Sequence, residues 1–225
     1  MKIIVTGATG MVGNAVLRQA ISDPNISQIT ALVRNQLTLS SPKLNTIYHT
    51  DFLDYSALKD VFLNHDAIIW CLGISQTQVN KARYKEITYD YAVAAASQIV
   101  KLNPAMTFVF VSGEGADQSG KSLSRFARIK GQTENALNQL GLKTLYIIRP
   151  AGIWPVFKNN KTAFVNKLIL PFYPLIAAIV PNFVIKSADL AVAILNIIHL
   201  GPQQKLFNPK NLKEWARIES KTSLK

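Results

Sequence analysis

Internal disulfides are excluded at the outset. The 225 residues include one cysteine, Cys71, which also rules out zinc sites built on paired thiolates and fits a reducing compartment, read here as the cytoplasm. Histidine is almost as scarce. His49, His65 and His199 stand with no partner at ligand spacing, so no metal site is expected. Charge is sparse at 17% of residues, and the acidic side is short, with 13 Asp and Glu against 25 Lys and Arg for a formal net charge of +12. Yet no run of adjacent basic residues occurs, the densest cluster being the gapped Lys81, Arg83 and Lys85, and nucleic-acid binding is not expected. The opening lacks a signal-peptide core, because Lys2 leads into only three apolar residues before a glycine turn interrupts them.

A long apolar run is also missing. Residues 168–180 carry no charge, but thirteen residues at about 1.5 Å rise reach roughly 20 Å of a hydrocarbon core about 30 Å thick, and Pro171 and Pro174 interrupt any helix there. Two readings stay open for this stretch: a pocket wall or subunit interface, and a peripheral membrane contact flanked by Lys167 and Lys186. The basic excess is concentrated in the same part of the chain, since residues 151–225 hold ten of the basic and three of the acidic residues. A field of that sign draws anions.

What is present reads as an ordinary globular protein. The apolar share is 48%, and a chain of this length buries about 70% of its unfolded surface, enough for a core without staples. Strand-like and helix-like segments alternate: strands at 3–5, 29–33, 47–48, 67–71, 107–111 and 145–148, with helices at 11–21, 55–63, 81–102 and 124–139. In the long helix Tyr84, Ile87, Tyr91, Ala94, Ala95, Ile99 and Leu102 share one face. Parallel crossovers need a helix-length return, so the pattern predicts an α/β fold, a Rossmann-type doubly wound parallel sheet with helices on both faces. Residues 1–225 read as a single Rossmann-type domain: a core over 1–150, then a small C-terminal extension over 151–225 with a helix at 187–198 and a polar tail.

The most informative segment is Thr6-Gly7-Ala8-Thr9-Gly10-Met11-Val12-Gly13. It lies between a buried strand and a helix. The first glycine permits the sharp turn, the second lets backbone approach a pyrophosphate, the third lets helix and strand pack closely, and the helix amides face the phosphates. Dinucleotide binding is the expected function of this turn. The second strand then ends on Arg34, 21 residues after Gly13, with no acidic side chain to accept from the 2′-hydroxyl of NAD. An arginine there pairs with a 2′-phosphate, so NADP(H) is expected. Asp51-Phe52, after the third strand, are the expected neighbours of the adenine, with a plain turn as the alternative for Asp51.

Together the Gly7/Gly10/Gly13 turn, Asp51-Phe52, Cys71-Leu72-Gly73, Tyr89-Asp90-Tyr91, Val111-Ser112-Gly113, Lys130-Gly131 and Arg149-Pro150 resemble the atypical short-chain dehydrogenase/reductases, in particular their small NAD(P)H-binding, epimerase-like members. The resemblance covers residues 1 to about 200. It implies a cofactor at the switch point of the sheet, lined by Gly7, Thr9, Gly10, Met11, Arg34, Asp51, Leu72, Gly73, Lys130 and Pro150, with Val12, Gly13, Phe52 and Cys71 inside the same motifs. In active members a serine after the fifth strand, and a tyrosine four residues before a lysine, carry the proton transfer. Ser112 and Lys130 match, but the tyrosine position is Phe126, which has no hydroxyl to ionise.

Substitutes weighed for that role are Glu114, beside Ser112, and Tyr84, Tyr91 and Lys121, of which the two tyrosines also fit burial in the core or at a homodimer contact. The loop 118–124 reads as a lid. Two functions follow. One is an oxidoreductase or epimerase-like enzyme acting on a small molecule held by Ser112, Glu114, Ile153, Trp154 and the apolar 164–183 segment. The other is a non-catalytic NADPH-binding sensor or assembly protein.

Overall fold

The computed structural model describes residues 1–156 and 183–218; the apolar 168–180 segment lies outside them. β1 (Lys2–Thr6) feeds α1 (Met11–Ser22), β2 (Gln28–Val33) and β3 (Leu44–Tyr48). A 3-10 turn at Ser56–Leu58 and the short α2 (Lys59–Leu63) return the chain to β4 (Ala67–Trp70). The long helix then comes in two parts, α3 (Lys81–Lys85) and α4 (Tyr91–Leu102), joined by a π turn over Glu86–Asp90. β5 (Thr107–Val111), α5 (Arg125–Gln139) and β6 (Thr144–Ile148) complete the core. Beyond it lie β7 (Gly152–Trp154), β8 (Val184–Lys186), α6 (Ser187–Leu200), β9 (Leu206–Phe207) and α7 (Pro209–Ala216).

Seven strands form one parallel sheet in the order β3-β2-β1-β4-β5-β6-β9, while β7 and β8 pair separately. Successive strand residues face opposite sides, and β1 illustrates the result. Ile3 and Val5 pack with Val16, Leu17 and Ala20 of α1 and Leu190, Ile194 and Ile197 of α6. Ile4 packs on the other side with Phe62, Tyr91, Ala95, Ile99, Phe108 and Leu137. Both faces are buried, which is why the strands read as continuous apolar runs. The doubly wound expectation holds.

The chain departs from the sequence reading after residue 200. Residues 206–216 form the seventh strand and a capped helix rather than a plain polar tail: Leu206 and Phe207 pair with Ile147 and Ile148, and Asn208 and Asn211 cap each other with Pro209 in the first turn. Asn196 in α6 donates to the carbonyls of Trp215 and Ile218, fastening α7 to the body. Among the described residues no helix is long and apolar enough to cross a membrane.

Candidate dinucleotide-binding and catalytic site

The order of strands reverses between β1 and β4, so their C-terminal ends open a crevice at the switch point. Leu72 N donates to Thr6 Oγ1 at 3.2 Å and ties the two ends together. Gly7 has φ +64°, and a Cβ there would lie 2.5 Å from the Cys71 carbonyl oxygen. Gly10 N donates to Gly7 O at 2.8 Å to close the turn. Gly10 is also the N-cap of α1, with no side-chain cap and no acidic residue in the first turn. The first-turn amides of α1 are thus left to an external acceptor, and the helix field there favours an anion. Gly13 allows α1 to press onto the turn, since a Cβ on it would lie 2.3 Å from Gly7 O. Thr9, Met11 and Val12 are half-buried at this mouth. The amide donors and the lack of a Cβ at Gly7, Gly10 and Gly13 fit a pyrophosphate.

Arg34 follows the last residue of β2 and is exposed. Asp51 is exposed too, and its Oδ1 accepts from Leu53 N at 2.9 Å in a tight turn. Phe52 is buried, with its ring 4.9 Å from His49, 5.6 Å from Tyr91 and 6.3 Å from Trp70. Its ring is therefore taken up by the core rather than presented to a ligand. Cys71 and Leu72 are half-buried and Gly73 is exposed at the β4 end. Burial pushes the Cys71 thiol up to about 12, with the Lys130 ammonium pulling the other way, so the thiol is inert at neutral pH.

At the ends of β5 and β6 the structure brings Ser112 and Lys130 together. Ser112 N donates to Ile148 O at 2.8 Å. Its Oγ donates to Glu134 Oε1 at 2.5 Å. Glu134 is fully buried and also accepts from Gln118 Nε2 at 2.7 Å, from Arg149 Nε at 2.9 Å and from Arg149 Nη2. Lys130 is buried, donates from Nζ to Val111 O at 2.9 Å, and stands 4.7 Å over the Phe110 ring. Burial lowers its pKa to about 8, against the opposing pull of Glu134 and Cys71.

Phe126 sits one turn before Lys130, with its ring on Gly113: a Cβ at Gly113 would lie 2.4 Å from Phe126 Cζ. Its amide donates to Gln76 Oε1 at 2.9 Å, while Ser124 caps α5. Glu114 is exposed on the rim, its amide donating to Pro150 O at 2.8 Å beneath it; Pro150 itself is buried.

One sequence expectation changes here, and the burial expected of the two helix tyrosines is met. The 118–124 loop is no free lid over its first half, because the Asp117 carboxylate accepts from Ser119 N and Oγ and from Ser122 N. Tyr84 and Tyr91 are core residues, and the Tyr91 hydroxyl is engaged by Arg83 and Glu86. Glu134 was missed as a site residue. Its signal was its position one turn after Lys130, on the same face of α5.

A family model described as NAD(P)H-binding matches residues 7–169. The chain belongs to this NAD(P)H-binding family. Among its relatives, the protein FMP52, mitochondrial, of Candida albicans is 30% identical over 157 residues, covering 68% of this chain and 67% of that protein. HTATIP2 of Rattus norvegicus is 22% identical over 218 residues, covering 88% of each. In solved structures the fold resembles the Bordetella bronchiseptica enzyme WbmH in complex with NAD+, with a TM-score of 0.67 at 15% identity over 95% of this chain and 79% of that one. It also resembles UDP-glucose 4-epimerase of Thermotoga maritima, with a TM-score of 0.66 at 15% identity over 87% and 72%. The chain thus shares the fold of these enzymes, and its NAD(P)H-binding family agrees with the resemblance to the small, epimerase-like members of the atypical short-chain dehydrogenase/reductase group.

Proposed function

We propose that the protein binds NADP(H) and uses it in an oxidoreductase or epimerase-like reaction on a small carbonyl or alcohol compound. The observation that carries the cofactor choice is Arg34, exposed at the end of β2 where an NAD-selective site would place a carboxylate. When bound, the nicotinamide supplies or takes up hydride. The chain holds the pyrophosphate on the amides of Met11, Val12 and Gly13, with Thr9 beside them, and a 2′-phosphate on the Arg34 guanidinium. Asp51 and the Phe52 backbone face the adenine, Leu72, Gly73 and Pro150 line the crevice toward the nicotinamide, and Lys130 reaches the ribose hydroxyls. Ser112 and Glu114 face the substrate. The single inert thiol suits a reducing compartment, whether the cytoplasm or the mitochondrion for which the fungal relatives are named.

Fluorescence titration with NADPH and NADH tests this reading. Wild type is expected to prefer NADPH by about tenfold or more, and Arg34→Ala to lose that preference, as removal of one charge-assisted contact worth about 1.5–3 kcal/mol requires. Equal affinity for both nucleotides in wild type would refute it.

A second reading, a non-catalytic NADPH-binding sensor, draws on Phe126, whose ring occupies the tyrosine position without a hydroxyl. Phe126→Tyr separates the two. Turnover gained by the variant alone, in a screen of carbonyl compounds with NADPH, would identify a disarmed site and favour the sensor for the natural chain.

A further inference from the structure

The site holds a proton donor, Lys130, one helical turn after Phe126, the residue that lacks the hydroxyl. Among the described residues Lys130 Nζ spends one of its three N–H bonds, on Val111 O, which leaves one for the ribose hydroxyls and one for the substrate. Val111 is the residue before Ser112, so the ammonium lies at the floor of the substrate-facing turn. Among the described residues no carboxylate is within ion-pair distance of it, although the Glu134 charge pulls its pKa up. Glu134, the nearest candidate and one turn along the same helix, is committed to Ser112, Gln118 and the Nε–Nη2 edge of Arg149. Among the described residues the Phe110 ring on β5 and the Cys71 thiol just after β4 also lie near Nζ, and the thiol stays neutral at working pH. In a site with a tyrosine the lysine's task is to keep the phenol acidic; Phe126 relieves Lys130 of that task.

We propose that Lys130 itself is the acid/base catalyst of this protein, protonating the carbonyl oxygen of the substrate in place of the absent tyrosine. This rests on the NADP(H) reading. A bound reduced nicotinamide would supply hydride to the carbonyl carbon, and the C=O π pair would take its proton from Lys130 Nζ. The products are the alcohol, NADP+ and a neutral Lys130 amine, which regains its proton from water. In the reverse direction the neutral amine accepts the alcohol proton. Burial brings the group to about 8, close to working pH, where transfer both ways is efficient.

The sign of the pH dependence follows. Reduction needs protonated Lys130 and falls as pH rises through about 8, whereas oxidation needs the neutral amine and rises through the same point. The test combines two measurements on the full chain. First, 13Cε chemical shifts of lysine-labelled protein are followed against pH, with the Lys130 signal assigned by its loss in Lys130→Arg. Its midpoint is expected near 8, with and without saturating NADPH, while surface lysines titrate near the ordinary value of about 10.4. Second, NADPH oxidation is screened against aldehydes, ketones and quinones. Lys130→Arg keeps the positive charge but offers no transferable proton at these pH values, and is expected to lose at least 100-fold in turnover at saturating NADPH. The first measurement needs no folded variant beyond the assignment.

A wild-type Lys130 midpoint above 10, turnover in Lys130→Arg within twofold of wild type, or wild-type protein that binds NADPH but turns over no carbonyl between pH 6 and 9, each overturns the proposal while leaving the cofactor reading standing. Failure to bind either nucleotide overturns both.

Discussion

Glu134→Ala is expected to destabilise the protein by about 3–5 kcal/mol, the cost of removing one partner of a buried ion pair. The carboxylate is fully buried, and the Arg149 side chain it holds is only 17% exposed. Removal leaves the guanidinium without its two-point acceptor, leaves Ser112 Oγ and Gln118 Nε2 without theirs, and opens a cavity between α5 and β6. For a chain of this size the expected fall in Tm is roughly 2–4 °C per kcal/mol, so thermal unfolding resolves it easily. Two further variants separate charge from packing. Glu134→Gln keeps the shape and one acceptor and should cost about half as much. Replacing Glu134 with Leu and Arg149 with Met together should recover most of the loss, because an apolar pair of similar volume avoids the desolvation penalty. A single Glu134→Ala loss below about 1 kcal/mol would show that the pair is no structural anchor of the site.

The second large effect concerns the phosphate cradle. Gly13→Val should abolish dinucleotide binding at ordinary concentrations, with a rise in Kd on the order of 100-fold or more, as loss of two charge-assisted hydrogen bonds at about 1.5 kcal/mol each requires. Even the first carbon of the new side chain would lie 2.3 Å from Gly7 O and 2.6 Å from Gly7 C. Those are backbone atoms of a turn already pinned by φ +64° and by the Cys71 carbonyl, so α1 must move instead. Its first-turn amides then leave the pyrophosphate. Overpacking of this kind costs about 1–3 kcal/mol of stability, so the variant should still fold, and calorimetric titration with NADPH reads the binding loss directly. Binding within threefold of wild type would contradict the cradle.

The central strands were legible because each is a β-branched run buried on both faces, and the Gly7/Gly10/Gly13 turn because its meaning is local. Elements whose stability comes from elsewhere were not. β7, β8 and β9 have three, three and two residues, too short for any period to register; Leu206 and Phe207 are strand only because β6 offers them an edge. The π turn at Glu86–Asp90 falls in a stretch with neither Gly nor Pro, so nothing in the residues marks it. α7 was the one avoidable miss, since Asn208-Pro209 with Asn211 is a helix start in which Asn replaces the usual Glu or Gln at the third position.

The same division runs through the site. Phe126 was legible by its spacing from Lys130. Glu134 was legible only in part: its place one turn after Lys130 put it on the right face of α5, but a carboxylate in the polar stretch 131–139 reads as a solvated face, and its partner Arg149 lies 15 residues away, just after β6. Phe52 was expected among the adenine neighbours through its place beside Asp51, yet the turn after β3 directs its ring into the cluster with Tyr91 and Trp70.

The central claim is that a nicotinamide dinucleotide lies across the switch point with its pyrophosphate on the N-terminus of α1. The most direct test is an amide 15N–1H titration of the protein with NADPH. The largest shifts are expected at Gly7, Gly10, Met11, Val12 and Gly13, with accompanying shifts at Arg34, Leu72 and Gly73. Shifts confined to other parts of the chain, such as the basic groove of Lys186, Lys213 and Arg217, or no shifts at millimolar nucleotide, would contradict it.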